Sequence, residues 1–211
     1  MNLEYVLPSD IERRSFEIIE SELGDREFPE EVKPIVMRAI HTTADFDYAD
    51  NLYFSDGAVK TILDILRSGA VIVTDTNMAH SGVNKKALAA HGCDCVCFMA
   101  DSDVAETAKK NGTTRASASV DKAAHLTRPV IYAVGNAPTA LVRLCEHIDA
   151  GSFVPAAVIG APVGFVNVVQ SKEMIIASGV PCIVARGRKG GSNVAAAICN
   201  ALLYMLGRET D

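Results

Sequence analysis

From residue 70 onwards, short apolar runs alternate with longer segments in which apolar residues recur at helical spacing. Five runs predict strands, at residues 70–75, 93–99, 130–135, 156–160 and 182–187. They are apolar or β-branched and mostly do not alternate with polar residues, which is typical of strands covered on both faces. Helices are predicted at 83–91, at 102–111 or 117–125, and at 138–149, 171–178 and 192–206. This order predicts an α/β fold with a doubly wound, mostly parallel sheet of about five strands flanked by helices.

The N-terminal part of the chain shows helical spacing without an intervening strand. Ser9 and Glu12 have the spacing of a capping box, which predicts a first helix running to Leu23, with Gly24 ending it. Ser15 lies between two apolar positions of this helix and therefore borders its buried face. The apolar positions are Ile11, Phe16, Ile18, Ile19 and Leu23.

A second helix is predicted from Pro29 to His41, because apolar residues again recur three or four positions apart. A third helical pattern spans residues 55–69 and ends at a glycine. We therefore expect one domain over residues 1–211, in which an N-terminal helical segment, residues 1–55, precedes the sheet. The apolar stripe of the second helix consists of Val32, Ile35, Val36, Ala39 and Ile40.

Charge and composition argue against two classes of partner. The formal net charge is −6 over 211 residues, which disfavours bulk binding of nucleic acid. The first residues lack the basic region and apolar run of a signal peptide. The longest apolar run, VAAAICNALLYML, is too short to span a bilayer. We therefore expect a cytoplasmic protein that binds neither nucleic acid nor membrane.

Three of the six cysteines, Cys93, Cys95 and Cys97, alternate within one predicted strand and so point to the same face. A soft metal site is one interpretation of this pattern. Small hydrophobic side chains in a cytosolic strand are the other, and we favour it because a zinc site usually combines two such clusters or includes histidines. We expect no metal and no disulfide in this run.

The edge of the predicted sheet where its strands end is the expected place for a ligand. Four strands run there into polar or glycine-bearing turns: TDTNMAHSG, GNAPTAL, GAPVGF and RGRKGGSN. The last turn combines cations and glycines with a following helix, which favours the binding of an anion. It matches no phosphate fingerprint of nucleotide-binding proteins, so both phosphate and carboxylate ligands stay open.

Arg38 and His41 lie three positions apart where the second helix ends, so their side chains share one face. Histidine is the side chain that exchanges protons most readily near neutral pH. One interpretation is therefore a proton-transferring histidine beside a substrate-binding arginine. The other is a histidine that caps the helix beside a surface arginine. Arg38 lies off the apolar stripe, so we expect it to act on a ligand more than on folding.

Six motifs, in order along nearly the whole chain, resemble the precorrin-8X methylmutase family, whose members include enzymes that use cobalt-precorrin-8. They are ERRSFEII (12–19), MRAIHTTAD (37–45), VTDTNM (73–78), GNAPTAL (135–141), AAVIGAPVGFVNVVQSKE (156–173) and RGRKGGSNVAAAICNAL (186–202). The resemblance implies an isomerase of corrin biosynthesis that moves a methyl group from C11 to C12 of the tetrapyrrole. The product would be hydrogenobyrinic acid or cobyrinic acid. No organic cofactor is implied.

The resemblance also implies roles for individual residues. His41, from the N-terminal helical segment, matches the family's active-site histidine and would donate and accept a proton at ring C. Ser15 and Arg38 match positions that contact the substrate. The family is homodimeric, with sites near the subunit interface, so a homodimer is expected here. A protein of net charge −6 must collect cations locally to hold a polycarboxylate. Further candidates for substrate contacts are Arg115, Asn136 and Arg186.

Two other functions remain as alternatives. A nucleotide-binding α/β enzyme would need a glycine fingerprint that the chain lacks. A non-catalytic carrier of a corrinoid or another tetrapyrrole would bind the same kind of ligand without changing it. Nothing in the chain indicates whether the natural substrate contains cobalt.

Overall fold

The computed structural model describes residues 3–208, and a six-stranded mixed sheet forms its centre. The strands are β1 (Leu52–Phe54), β2 (Val71–Thr74), β3 (Asp94–Val96), β4 (Val130–Val134), β5 (Ala157–Gly160) and β6 (Cys182–Ala185). Their order across the sheet is β1-β6-β5-β4-β2-β3. The pairs from β6 to β3 are parallel, whereas β1 pairs antiparallel with β6. The predicted α/β class and mostly parallel sheet are confirmed, with one strand more than predicted.

Helices cover both faces of the sheet. They are α1 (Ile11–Leu23), α2 (Lys33–Thr43), α3 (Tyr48–Asn51), α4 (Ala58–Arg67), α5 (Asn77–Gly82), α6 (Lys85–Ala90), α7 (Ser102–Asn111), α8 (Arg115–Ala123), α9 (Pro138–Ala150), α10 (Val168–Ala177) and α11 (Ser192–Arg208). One apolar core joins the sheet to α1, α2, α4 and α11, and a second joins its other face to α8, α9 and α10. Within residues 3–208, no helix is long and apolar enough to cross a membrane.

Neighbouring positions on a strand contribute to opposite cores, as the period of two requires. In β4, Ile131 and Ala133 face the core that contains α11, while Tyr132 faces the core that contains α9. Because both faces are covered, the central strands are buried at every position, which explains their unalternating apolar sequences.

The start of α1 differs from the prediction. The helix begins at Ile11, after a 3₁₀ turn at Pro8–Asp10, and its N-cap Asp10 makes no side-chain capping bond. The predicted capping box of Ser9 and Glu12 is therefore wrong, and the carboxylate of Glu12 is used in an ion pair with Arg38 on α2. Gly24 ends the helix at a φ of 60°, as predicted.

The second helix is shifted along the chain. It runs from Lys33 to Thr43, because residues 29–32 form a turn in which the amide of Val32 donates to the carbonyl of Pro29. Pro34 then falls in the first helical turn, where its missing N–H costs no helical bond. Ala44 ends the helix in the left-handed conformation, with its amide donating to the carbonyl of Ile40 at 2.7 Å.

Three predicted helical regions differ from the structure in the number or the bounds of their helices. Residues 83–91 contain α6 only, and α5 precedes it directly after β2. The two alternatives at 102–111 and 117–125 both form, as α7 and α8. Helix α10 begins at Val168, earlier than predicted. On α1, Ile11 and Ile18 belong to the predicted apolar face but are 53% and 39% exposed, so that face is wider than the core it covers.

Candidate active site

His41 lies in the last turn of α2 with its side chain exposed to solvent. Its imidazole stacks on the ring of Phe16 from α1, with centroids 5.1 Å apart and an angle of 17° between the planes. The left-handed turn at Ala44 then directs the chain away from the helix, which leaves the imidazole at the edge of the helix pair. This location gives a proton-transferring group access to a ligand.

Two clefts meet at His41. One has a volume of about 420 Å³ and lies between α1 and the end of α2. Its lining comprises Ser15, Ile18, Ile19, Glu22, Ile40, His41, Ala44 and Phe46. The other has a volume of about 270 Å³ and lies between α2, α5 and α11. Its lining comprises Arg38, His41, Thr42, Gly82, Asn193, Ala196, Ala197, Asn200 and Tyr204.

The structure therefore brings Ser15, Arg38 and His41 together, because Ser15 shares the larger of these clefts with His41 and Arg38 shares the smaller one. The hydroxyl of Ser15 donates to the carbonyl of Ile11 at 2.8 Å, so its lone pairs can still accept a bond from a ligand. The roles of these three residues are taken up as proposals below.

Arg38, on α2, is held by side chains from two other helices. Its Nη1 donates to Oε1 of Glu12 on α1 at 2.5 Å. Its guanidinium carbon lies 4.8 Å from the ring centroid of Phe16 and 5.1 Å from that of Tyr204 on α11. The side chain is only 20% exposed. The expectation that Arg38 acts little on folding therefore has to be revised, because these contacts tie α1, α2 and α11 together.

The residues that follow His41 fix the end of α2 to the edge of the sheet. The hydroxyl of Thr43 donates back to the carbonyl of Ala39 at 2.8 Å and accepts from the amide of Asp45. Asp45 and Asp47 both accept from Nζ of Lys189, each at 2.6 Å. The hydrogen bond from Lys189 lowers the pKa of Asp45 against the opposing effect of burial. Thr43, Asp45 and Asp47 thus have structural partners, whereas Thr42 is exposed and lines the smaller cleft.

Asp75, directly after β2, is the central polar group of the sheet's carboxyl edge and is fully buried. Its two oxygens accept from the backbone amides of Gly135, Asn136 and Ala137, at 2.7 to 2.8 Å. Burial raises the pKa of Asp75, while these three amide bonds oppose that rise. The carboxylate is therefore fully used in holding the turn between β4 and α9.

Lys172 on α10 is a second fully buried charged side chain at this edge. Its Nζ donates to the backbone carbonyls of Gly187 and Lys189, each at 2.8 Å. Burial lowers the pKa of Lys172 from its usual 10.5 to about 8. The ammonium thus fixes the turn after β6. Lys189 belongs to this turn and holds the segment after His41.

The predicted candidates Arg115, Asn136 and Arg186 lie at the carboxyl edge but do not line either cleft at His41. Arg115 is the first residue of α8 and is exposed. Asn136 is exposed in the turn that Asp75 holds. Arg186 forms a two-bond ion pair with Glu173, at 3.0 and 2.6 Å. The structure therefore separates these three residues from the group at His41.

Sequence reasoning missed three residues of the site: Phe16, Tyr204 and Asn193. The sequence predicts Phe16 as an apolar position of the first helix, but it does not indicate the contacts of its ring with His41 and Arg38. Tyr204 and Asn193 lie in α11, whose face along the smaller cleft repeats at helical spacing. That spacing was the available signal, but only the tertiary structure shows which face of α11 meets α2.

Of the cysteine run, Cys95 lies within β3, and Cys93 and Cys97 lie directly before and after that strand. Cys93 is buried, and Cys93 and Cys95 pack against the core that contains α11. Burial raises the pKa of Cys95 to about 11. Within residues 3–208, no group of three or more histidines, cysteines or carboxylates is arranged to hold a metal ion.

The chain is similar to known proteins over nearly its whole length. Residues 10–205 match the family model described as precorrin-8X methylmutase. The chain is 46% identical over 205 residues to the cobalt-precorrin-8 methylmutase of Salmonella typhimurium, covering 94% of this chain and 96% of that protein. It is 38% identical to the precorrin-8X methylmutase of Pseudomonas aeruginosa, covering 91% and 93%. The crystal structure of precorrin-8X methylmutase from Thermus thermophilus superposes with a TM-score of 0.86 at 40% identity, covering 95% of this chain and 98% of that one.

Proposed function

The chain belongs to the precorrin-8X methylmutase family, isomerases of cobalamin biosynthesis, and we propose that it uses His41 to move a methyl group from C11 to C12 of its tetrapyrrole substrate. The observation that carries this proposal is the exposed imidazole where two clefts meet, between Ser15 and Arg38. The match to named methylmutases favours this isomerase over a corrinoid carrier or a nucleotide-binding enzyme.

The reaction needs one proton donor and no change of redox state. The protonated imidazole of His41 donates a proton to ring C, which makes the carbon that receives the methyl group more electrophilic. The methyl group moves with its bonding electron pair from C11 to C12, and loss of a proton to the imidazole restores the ring's charge. Substrate and product are isomers, so the enzyme recovers its starting state without a co-reactant.

Substrate carboxylates would be held by the cations around the clefts and along the carboxyl edge. Arg38 lines a cleft together with His41, and its planar guanidinium can bind a carboxylate through two hydrogen bonds. A substrate carboxylate at Arg38 competes with Glu12, and one at Arg186 competes with Glu173. Arg115 has no ion-pair partner within residues 3–208, so it can bind an anion without such competition. Asn136 could add a neutral hydrogen bond.

We further propose that the active form is a homodimer. Four apolar side chains at the carboxyl edge are exposed: Met78 after β2, and Val163, Phe165 and Val166 after β5. Covering these side chains with a second copy would remove apolar surface from water and would help to enclose a large ligand. Sedimentation at micromolar concentration should give about twice the chain mass of 22.4 kDa. A fully active monomer would contradict this part of the proposal.

Incubation with the precorrin-8 substrate tests the function directly. The methyl shift changes the conjugated system, so we expect the UV–visible spectrum of the substrate to convert to that of the product with many turnovers per chain. Metal-free and cobalt-containing substrate should be tested in parallel, because their relative rates identify the natural one. Stoichiometric binding without conversion would indicate a carrier and would contradict the isomerase.

A further inference from the structure

The imidazole of His41 lacks the contact that usually orients a catalytic histidine. In most such sites a hydrogen bond to one ring nitrogen fixes the plane and the tautomer of the other. In the described part of the chain, residues 3–208, His41 has no hydrogen-bond or ion-pair partner, and its side chain is exposed. The ring of Phe16 is the aromatic group that lies nearly parallel to it. Another source of orientation is therefore needed, and this ring is in place to supply it.

Phe16 is itself firmly placed. It is half-buried on α1 and packs against the core formed by α2 and α11. The guanidinium of Arg38 lies 4.8 Å from its ring centroid, and that guanidinium is held in turn by Glu12 and Tyr204. One aromatic ring thus contacts both the proposed proton donor and the proposed carboxylate-binding residue.

We propose that Phe16 is the positioning residue of the active site, holding the His41 imidazole in the plane from which it exchanges a proton with the substrate. The inference rests on the proposed function of His41. The electron-rich face of the ring also favours the positively charged imidazolium that donates the proton. A side chain of similar size but without a ring fills the core and leaves the imidazole free to turn.

Substitution of the ring separates this role from ordinary packing. Phe16→Leu and Phe16→Met keep an apolar side chain, whereas Phe16→Tyr keeps the ring. We expect kcat to fall about 10- to 100-fold in the Leu and Met variants, since small misplacements of reacting groups have effects of this size. KM should change less than about threefold, because Arg38 keeps its contacts with Glu12 and Tyr204. Phe16→Tyr should keep most of the wild-type kcat.

Phe28→Leu is the matched control, because Phe28 packs against the same core but lines neither cleft at His41. Its kcat should stay near wild type. NMR supplies a readout that does not depend on activity. The carbon-bound imidazole protons of His41 should show an upfield ring-current shift in the wild type and in Phe16→Tyr, and should lose it in Phe16→Leu.

The outcomes distinguish failure of this inference from failure of the proposed function. Wild-type kcat in a folded Phe16→Leu or Phe16→Met variant, with an inactive His41→Ala, would overturn the role of Phe16 alone. An equal loss of kcat in Phe28→Leu would also overturn it, because the effect would then come from the core. Full activity of His41→Ala would overturn the catalytic role of His41, and the role of Phe16 with it.

Discussion

The clefts at His41 and the carboxyl edge of the sheet use polar side chains in opposite ways. At the carboxyl edge, Asp75 and Lys172 are fully buried, and their charged atoms bind backbone groups of neighbouring turns. At the clefts, His41 is exposed and Ser15 is only partly buried, and neither side chain holds another element in place. Both regions are polar, but Asp75 and Lys172 are occupied by backbone groups, whereas Ser15 and His41 remain available to a ligand.

This difference indicates that the two regions have different roles, one in stability and the other in chemistry. A buried charge that is fully hydrogen-bonded fixes the structure, and removing it leaves its partners unsatisfied. An exposed imidazole without such partners contributes little to stability and is free for chemistry. We therefore expect substitutions at the edge to act first on unfolding and substitutions at the clefts to act first on turnover.

Asp75→Ala should have the largest effect on stability. It leaves three backbone amides without acceptors, one of them in a buried and two in partly buried hydrogen bonds, so the free energy of unfolding should fall by about 3–5 kcal/mol. Thermal denaturation should show a midpoint lower by about 10 °C. Asp103→Asn is a suitable control, since Asp103 is exposed and forms an ion pair with Lys122. An Asp75→Ala protein as stable as this control would show that the edge is not held as described.

Lys172→Met should have a smaller effect that depends on pH. It leaves the carbonyls of Gly187 and Lys189 without their donor, at a cost of about 1–3 kcal/mol near pH 7. Because the folded-state pKa of Lys172 is about 8 and the usual value is 10.5, the unfolded chain binds more protons between these two values. The wild type should therefore gain stability as the pH rises through this range, by about 3 kcal/mol at most.

The contribution of Lys172 to the pH dependence is the difference in unfolding free energy between the wild type and Lys172→Met. Urea unfolding of wild type and Lys172→Met from pH 7 to pH 10 should show a difference that widens as the pH rises. Lys60→Met, which alters an exposed lysine of α4, should show a constant difference. A constant difference for Lys172→Met as well would mean that the buried amine does not titrate in this range.

Arg38 shares features of both regions. Its substitution should therefore lower both the stability of the fold and the affinity for the substrate, each by a moderate amount. Arg38→Ala loses the contacts with Phe16 and Tyr204 and an ion pair whose carboxylate is largely exposed, which should cost about 1–2 kcal/mol of stability. Affinity for the substrate should fall about 10-fold or more, as a charge-assisted bond is lost. Arg38→Lys keeps the charge but not the two-bond geometry, so affinity should recover only in part.

Isothermal titration with product corrinoid and thermal denaturation would measure the two effects of Arg38. Arg26→Ala is the control, because Arg26 forms an exposed ion pair with Asp50 away from both clefts. Normal binding by Arg38→Ala together with a large drop in its midpoint would place Arg38 with the structural side chains of the edge.

The sequence predicts the sheet well because its central strands are buried on both faces and so appear as continuous apolar runs. Strand β1 was missed because its three half-buried residues form a strand only through pairing with β6. The proximity of Arg38 and His41 follows from helical spacing alone. The roles of Phe16, Tyr204 and Asp75 depend on contacts between distant parts of the chain, which no local pattern encodes.

The central claim is that turnover depends on the imidazole of His41 while the fold does not. The most direct test compares initial rates of substrate conversion and thermal midpoints for wild type, His41→Ala and His125→Ala, the last altering an exposed histidine outside both clefts. We predict that His41→Ala loses about 10²- to 10⁴-fold in rate. Its midpoint should stay within about 2 °C of wild type, and His125→Ala should match wild type in both measurements. A folded His41→Ala protein that converts substrate at the wild-type rate would contradict the account.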